Sequence, residues 1–408
     1  MHLPKPFIIG ATMLATAEAG NSSFTANLTA TGYGTVFDVP ITIGDQTFDL
    51  LVDTGSSDTY VMKTGYTCIN SLDNMIIPEE GCRYSNKTYT ISETHRSISD
   101  EIFGIKYGDG IASGEMAYEN VSLGGISVGD QKVGIVNVSN PMGDGVNSGL
   151  LGLAYPSITS AHPANHTSNQ TYWYERLPYD PVLFTMHKEG FIEPYFSLAL
   201  AHTPQNEPTS FGGYLTLGGL PPVAHSEGFS SVPVEILEDL PVAFTSGEKV
   251  RSYWATTVSG ASYGSSAGNM AANETSFQAF VDSGNYMQYL PAAIVEPVNA
   301  MFSPPAIYNN KTQAYVVECD ALAPEFGLKI GNQTFFHNGE DLIYRISNET
   351  CVSSLASSES ISIEGLTLNI IGVPFLKNVI AVFDFGNNEM RFSKKLDLNS
   401  TASDNSGH

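Results

Sequence analysis

The stretch Leu50-Leu51-Val52-Asp53-Thr54-Gly55-Ser56-Ser57 constrains this chain more than any other, because it is partly repeated far downstream as Ala279-Phe280-Val281-Asp282-Ser283-Gly284-Asn285. Each copy reads as a short apolar strand ending on an acid, then a small hydroxyl residue, then glycine. Such a run carries a carboxylate out of a buried strand onto a tight turn, where glycine lets backbone N–H groups approach the acid. From residue usage, one D-[TS]-G triplet arises by chance in about one chain in five of this length. Two copies, each behind an apolar strand and each in its own half of the chain, are far rarer. Two lobes could thus each supply one carboxylate to a shared site. Held a few ångström apart, two carboxyls cannot both ionise, so they share a proton and titrate as a pair.

The 408 residues are enough for two domains with separate cores. Acids outnumber Lys and Arg by 42 to 18, a formal charge of −24. That balance excludes nucleic acid and anionic membrane surfaces as partners, since both demand clustered cations. It suits an acidic extracellular setting in which many carboxylates are protonated. The four cysteines, Cys68, Cys82, Cys319 and Cys351, contain no C-x-x-C and allow three disulfide connectivities. Sequons begin at Asn21, Asn27, Asn86, Asn120, Asn137, Asn165, Asn169, Asn273, Asn310, Asn332, Asn348 and Asn399, a density that with paired cysteines favours the secretory route. Residues 1–19 read as a signal peptide: one Lys in the first five residues, a short apolar run, and Ala17-Glu18-Ala19 as the cleavage pattern. That run is too short for a membrane span, and residues 399–408 are a polar tail with no lipid-anchor signal. Secretion and an extracellular location are expected, with no membrane partner.

Along the chain, residues 33–52 alternate small, aromatic and β-branched types around a Gly44-Asp45 turn, which predicts a hairpin leading into Asp53. Residues 103–107 predict a strand capped by Gly108-Asp109-Gly110, and 113–121 its return. Residues 123–138 predict two short strands around Gly124-Gly125 and Gly129-Asp130. Helices are expected at 179–188 and 291–301, strands at 196–201 and 253–258, a low-complexity loop at 259–273 and a Ser-rich loop at 353–362. A closing hairpin is expected across Gly386-Asn387-Asn388. Short strands with a turn every eight to twelve residues indicate a mostly-β architecture. The polar link at 202–209 marks a boundary between an N-terminal lobe, 20–201, and a C-terminal lobe, 202–398.

On the two D-[TS]-G motifs and their spacing, the chain resembles the pepsin-like aspartic proteases, most of all the secreted fungal members, from about Gly32 to Phe392. The resemblance implies a bilobal fold of two duplicated β lobes with an active-site cleft between them, and a monomer. It implies Asp53 and Asp282 as the catalytic pair, which in this family is the reference case of two carboxyls sharing a proton. One ionised acid takes a proton from a water, the water attacks the peptide carbonyl, and the protonated partner donates to the developing oxyanion. No metal and no cofactor are implied. Thr54 and Ser283 would brace the two turns, with Gly55 and Gly284 beside them, and Ser56 would hydrogen-bond Asp53. The position matching Ser56 is Asn285, where the family has Thr or Ser; an amide can rotate to donate, so Asn285 is expected to donate to Asp282. Gly149-Leu150-Leu151-Gly152 and Leu368-Asn369-Ile370-Ile371-Gly372 match the family's apolar-apolar-Gly elements. Tyr107-Gly108-Asp109-Gly110 matches the flap over the substrate, and Asp109 occurs on the flap of fungal relatives that accept Lys beside the scissile bond. Tyr60 stands where the family often has Trp. One bridge per lobe is implied, Cys68–Cys82 and Cys319–Cys351.

Gly260-Ala261-Ser262-Tyr263-Gly264 matches the G-x-S-x-G elbow of serine hydrolases, but a Ser/Gly loop follows where that fold requires a helix, so the match is rejected. The nine histidines read as surface or packing residues. The expected function is therefore a secreted aspartic-type endopeptidase that hydrolyses peptide bonds at acid pH. The alternative is a catalytically weak or inactive homologue, a peptide- or protein-binding glycoprotein. Asn285, Tyr60 and the lack of a basic prosegment between Ala19 and the first strand favour that alternative.

Overall fold

The computed structural model describes residues 23–396, apart from 109, 167–171, 205–206, 266–269, 348–349 and 362–365. The expected signal peptide, polar tail and Asp109 lie outside the described residues, as do Asn21, Asn169, Asn348 and Asn399. The architecture is mostly β, arranged as sheets of fifteen, eight and four strands. The large sheet holds the first acid and the eight-stranded sheet the strand leading to the second.

In the large sheet, Val36–Ile43 and Gln46–Asp53 form the expected hairpin, with Ile43 opposite Gln46 across Gly44-Asp45. Gly44 adopts φ +64°, the left-handed geometry that a two-residue turn needs. Gly149–Gly152 then inserts between Gln46–Asp53, to which it is parallel, and Thr59–Ile69, to which it is antiparallel. A Cβ on Gly152 would lie 2.5 Å from the Asp58 amide nitrogen, so only glycine fits there. The second half repeats the arrangement: Ile370–Ile371 runs parallel to Phe277–Val281 and antiparallel to Gln288–Leu290. A Cβ on Gly372 would meet the Met287 carbonyl oxygen at 2.0 Å.

The large sheet also crosses the expected lobe boundary. Tyr195–Leu200 and Thr209–Leu217, which flank the polar link, pair antiparallel. Thr209–Leu217 also pairs with Phe24–Thr31, and Tyr195–Leu200 with Val379–Asp384 of the closing hairpin. Trp254, fully buried, joins the two halves of the sequence. Its Nε1 donates to the Leu153 carbonyl at 2.9 Å, and its ring packs on Tyr155, Phe196 and Phe383.

Three local expectations are corrected. Gly129-Asp130 is not a turn between strands, because Ile126–Ser139 runs through it as one strand. Asp130 takes φ +51° beside a register shift between Glu119 and Val121, so the pair forms a bulge while Val128 and Val133 stay in the core. The strand expected at 253–258 continues as Ala255–Gly264 and leaves a shorter loop than 259–273. It is paired on one side by Glu325–Ile330 and on the other by Ala271–Asn273, and it buries Ala261 and Tyr263. Ser262 is thus mid-strand, away from any elbow. The stretch 353–362 carries the strand Leu355–Ser357 and a short 3₁₀ turn, Ser358–Ser360, capped by the Ser357 hydroxyl. The helices form at Val182–Lys188 and Ala292–Ala300. The disulfides are Cys68–Cys82 and Cys319–Cys351. No helix among the described residues is long and apolar enough to cross a membrane.

Candidate active site

Asp53 is the last residue of its strand, and Asp282 directly follows its own. The two turns beyond them are locked by four reciprocal hydrogen bonds. Thr54 Oγ1 donates to the Val281 carbonyl at 2.8 Å and Ser283 Oγ to the Val52 carbonyl at 2.7 Å. The Thr54 N–H donates to Ser283 Oγ at 3.0 Å, and the Ser283 N–H to Thr54 Oγ1 at 2.9 Å. Each hydroxyl therefore both donates and accepts, using the two capacities a hydroxyl has. All of these groups are buried, so any one left unpaired would be costly.

The lock brings the acids together. A Cβ on Gly55 would fall 2.6 Å from Asp282 Cγ, and one on Gly284 2.6 Å from Asp53 Oδ1, so each turn presses on the opposite carboxyl. The Gly55 N–H donates to Asp53 Oδ1 at 2.7 Å and the Gly284 N–H to Asp282 Oδ1 at 2.9 Å. The Ser56 hydroxyl donates to Asp53 Oδ2. Burial raises both carboxyls above the ordinary range. For Asp53 it is offset by the Ser56 hydroxyl, the Gly55 N–H and a hydrogen bond from Asp282. For Asp282 burial is reinforced by the charge of Asp53 and offset only by the Gly284 N–H, so it stands well above the usual value. Asp53 thus has a side-chain donor to its charged form that Asp282 lacks, which favours the shared proton on Asp282.

Asn285 departs from its expected role. Its Oδ1 accepts from the Met287 N–H at 3.1 Å, and no hydrogen bond joins its side chain to Asp282. A short polar side chain capping the backbone two residues on is the ordinary Asx-turn arrangement, and here it wins over donation to the acid.

The acids open into a cleft of about 710 Å³ that Tyr107 and Gly108 also line. Tyr107 sits at the tip of the hairpin Arg96–Lys106 and Ile111–Leu123, and its N–H donates to the Gly110 carbonyl at 2.7 Å. Its hydroxyl is buried in a cluster with the phenols of Tyr60 and Tyr84. Burial pushes all three phenols up. The flap residue Asp109 is not described.

Sequence reasoning missed several residues in and behind the cleft wall. Asp58, behind it, is fully buried; its Oδ1 accepts from the Tyr179 hydroxyl at 2.6 Å and the Ser160 N–H at 2.7 Å. Trp173, Arg176, Phe244 and Tyr253 line the cleft beside the acids. The aromatic density of Tyr172-Trp173-Tyr174-Glu175-Arg176 was the available signal. Among the described residues no group of three His, Cys, Asp or Glu converges to hold a metal ion.

The family model described as eukaryotic aspartyl protease matches residues 36–395. An Aspergillus fumigatus protein named "Probable aspartic-type endopeptidase" is 37% identical over 377 residues, covering 91% of this chain and 81% of its own. Penicillopepsin-1 of Talaromyces stipitatus is 28% identical, with 93% of this chain and 84% of that one covered. Aspergillopepsin-1 of Aspergillus oryzae is 27% identical, with 94% and 84% covered. The crystal structure of an aspartic proteinase from Irpex lacteus superposes with a TM-score of 0.69 at 21% identity, over 93% of this chain and 99% of that one, a likeness of fold.

Proposed function

The chain belongs to the eukaryotic aspartyl protease family, and we propose that it is a secreted endopeptidase acting at acid pH through Asp53 and Asp282. The observation that carries this reading is the unequal pair: two buried carboxyls pressed together by reciprocal glycines, of which Asp53 alone has a side-chain hydroxyl donating to it. A water between them would lose a proton to Asp53 as it attacks the peptide carbonyl, and Asp282 would donate to the developing oxyanion. The returning proton would reach the leaving amine from Asp53. Tyr107 would close over the bound peptide. We also propose the division into lobes at 201/202, with the cleft between them.

Secretion draws support from the two disulfides and the sequons. Asn27, Asn86, Asn120, Asn137, Asn165, Asn310 and Asn332 are exposed and could carry glycans. The test is digestion of a denatured protein substrate between pH 3 and 5, with and without a statine-type transition-state mimic. Asp53→Asn and Asp282→Asn should each abolish hydrolysis and leave the far-UV spectrum intact. Full activity in either variant, or inhibition by a chelator and not by the mimic, would overturn the assignment. An inert wild-type protein beside an active Asn285→Thr variant would favour the peptide-binding homologue instead.

A further inference from the structure

Arg176 is a buried cation in the wall of the cleft. It is 5% exposed, and three of its five N–H donors are spent on the protein. Nε donates to the Trp173 carbonyl at 3.3 Å; Nη1 donates to the Ile158 carbonyl at 2.8 Å, to Ser160 Oγ at 2.7 Å and to the Thr159 carbonyl at 3.4 Å. The Phe244 ring lies 4.5 Å from the guanidinium carbon and covers one face. Among the described residues no hydrogen bond engages Nη2 and no carboxylate lies within ion-pair distance of Arg176. Arg176 lines the cleft, and its Nη2 is not completely buried.

The titratable groups facing it are Asp58, His162, Tyr107 and Tyr253. His162 is held neutral by burial down to about pH 4, and burial keeps both phenols protonated. Asp58 is the one anion available. Its Oδ1 is already committed to Tyr179 and Ser160, and burial raises its carboxyl, so acid conditions remove that charge. Arginine keeps its own charge. A cation fixed by four backbone and side-chain acceptors, stacked on an aromatic ring and left with one free nitrogen is a preorganised carboxylate receptor. Tyr253 links it to the acids: its ring contacts Phe280, two residues before Asp282, at 4.5 Å.

We infer that Arg176 makes this protein selective for peptides with an acidic side chain, Glu or Asp, at one fixed position close to the scissile bond. The inference rests on the endopeptidase reading. In that complex the substrate carboxylate accepts from Nη2 while the main chain crosses Asp53 and Asp282.

The test uses two peptide series identical except for Glu or Gln, placed in turn at each position within three residues of the cleaved bond, with kcat/KM measured at pH 5 and pH 3. At one position the wild-type Glu/Gln ratio should reach about ten- to hundredfold at pH 5, the range of a hydrogen bond to a charged group. At pH 3 it should fall by about an order of magnitude, because a free Glu carboxyl titrates near 4.3. Arg176→Met should bring the ratio to about one, and Arg176→Lys should retain part of it. A wild-type ratio near one at every position and both pH values overturns the inference, as does a ratio that survives Arg176→Met. Should Arg176→Met fail to fold, the wild-type ratio and its pH dependence decide alone. Failure to cleave any peptide of either series overturns the endopeptidase reading and this inference with it; cleavage without Glu preference overturns the inference alone.

Discussion

Asp53 accepts from the Ser56 hydroxyl on its Oδ2 and Asp282 has no side-chain donor, because the Asn285 amide oxygen is turned to the Met287 N–H. Threonine at 285 would place a donor where Ser56 stands in the other half. A donor to the charged form lowers a carboxyl's pKa, and one such bond contributes about 1.5–3 kcal/mol. Asn285→Thr should therefore move the alkaline limb of the kcat/KM profile down by about one to two pH units, since the proposed mechanism uses Asp282 in its protonated form. An unmoved limb would mean that side chain 285 does not reach the acid in the working enzyme. At this scale the sequence was legible where a motif is contiguous: both acids, their hydroxyl partners and their glycines sit in unbroken runs. It was silent on Arg176, a lone cation in a polar aromatic stretch with no periodicity. Its burial comes from Ile158, Trp173 and Phe244, which only the tertiary fold brings together. The Asn285 rotamer was equally out of reach, because an amide can serve as donor or as acceptor and the choice lies with neighbouring backbone.

At the scale of elements, the site depends on two turns held across the cleft floor by Thr54 and Ser283. Thr54→Val keeps the shape but removes the donor to the Val281 carbonyl and the acceptor of the Ser283 N–H. Each orphaned buried group costs about 1–3 kcal/mol, so the variant should lose about 2–6 kcal/mol in urea unfolding, together with most of its activity. A loss below about 0.5 kcal/mol, the level of an indifferent surface change, would show that the lock adds little stability. The strands bearing both acids could be read from their apolar runs and flanking turns. Gly129-Asp130 misled because glycine followed by Asp signals a turn, and only pairing on both neighbours shows a strand bulging through it. The Ser- and Gly-rich continuation after Val258 misled in the same way, since cross-strand partners rather than local propensity hold it extended.

Across the whole molecule, titration of buried acids should govern the pH range in which the fold survives. Asp38 is fully buried beside Asp144, and burial followed by the Asp144 charge holds its carboxyl well above the ordinary value. A raised folded pKa means that the folded state binds the proton more tightly than the unfolded chain. The stabilisation is complete below the unfolded pKa of about 3.9 and is lost as pH rises through the folded value. Asp38→Asn keeps the shape without an ionisable proton, so it should raise Tm at pH 7 and leave Tm at pH 4 nearly unchanged. Equal shifts at both pH values would rule out ionisation as the cause. The duplicated architecture was visible in the repeated motifs, whereas the sheet that crosses 201/202 was not, because its strands find partners far away in sequence. That pairing sets a timetable for biosynthesis. The strand Tyr195–Leu200 takes Val379–Asp384 as its neighbour, so throughout translation of the intervening stretch one of its edges has no mate. The sheet cannot close until residues 379–384 have left the ribosome, and during that interval the nascent chain presents an open β edge to whatever chaperone receives it.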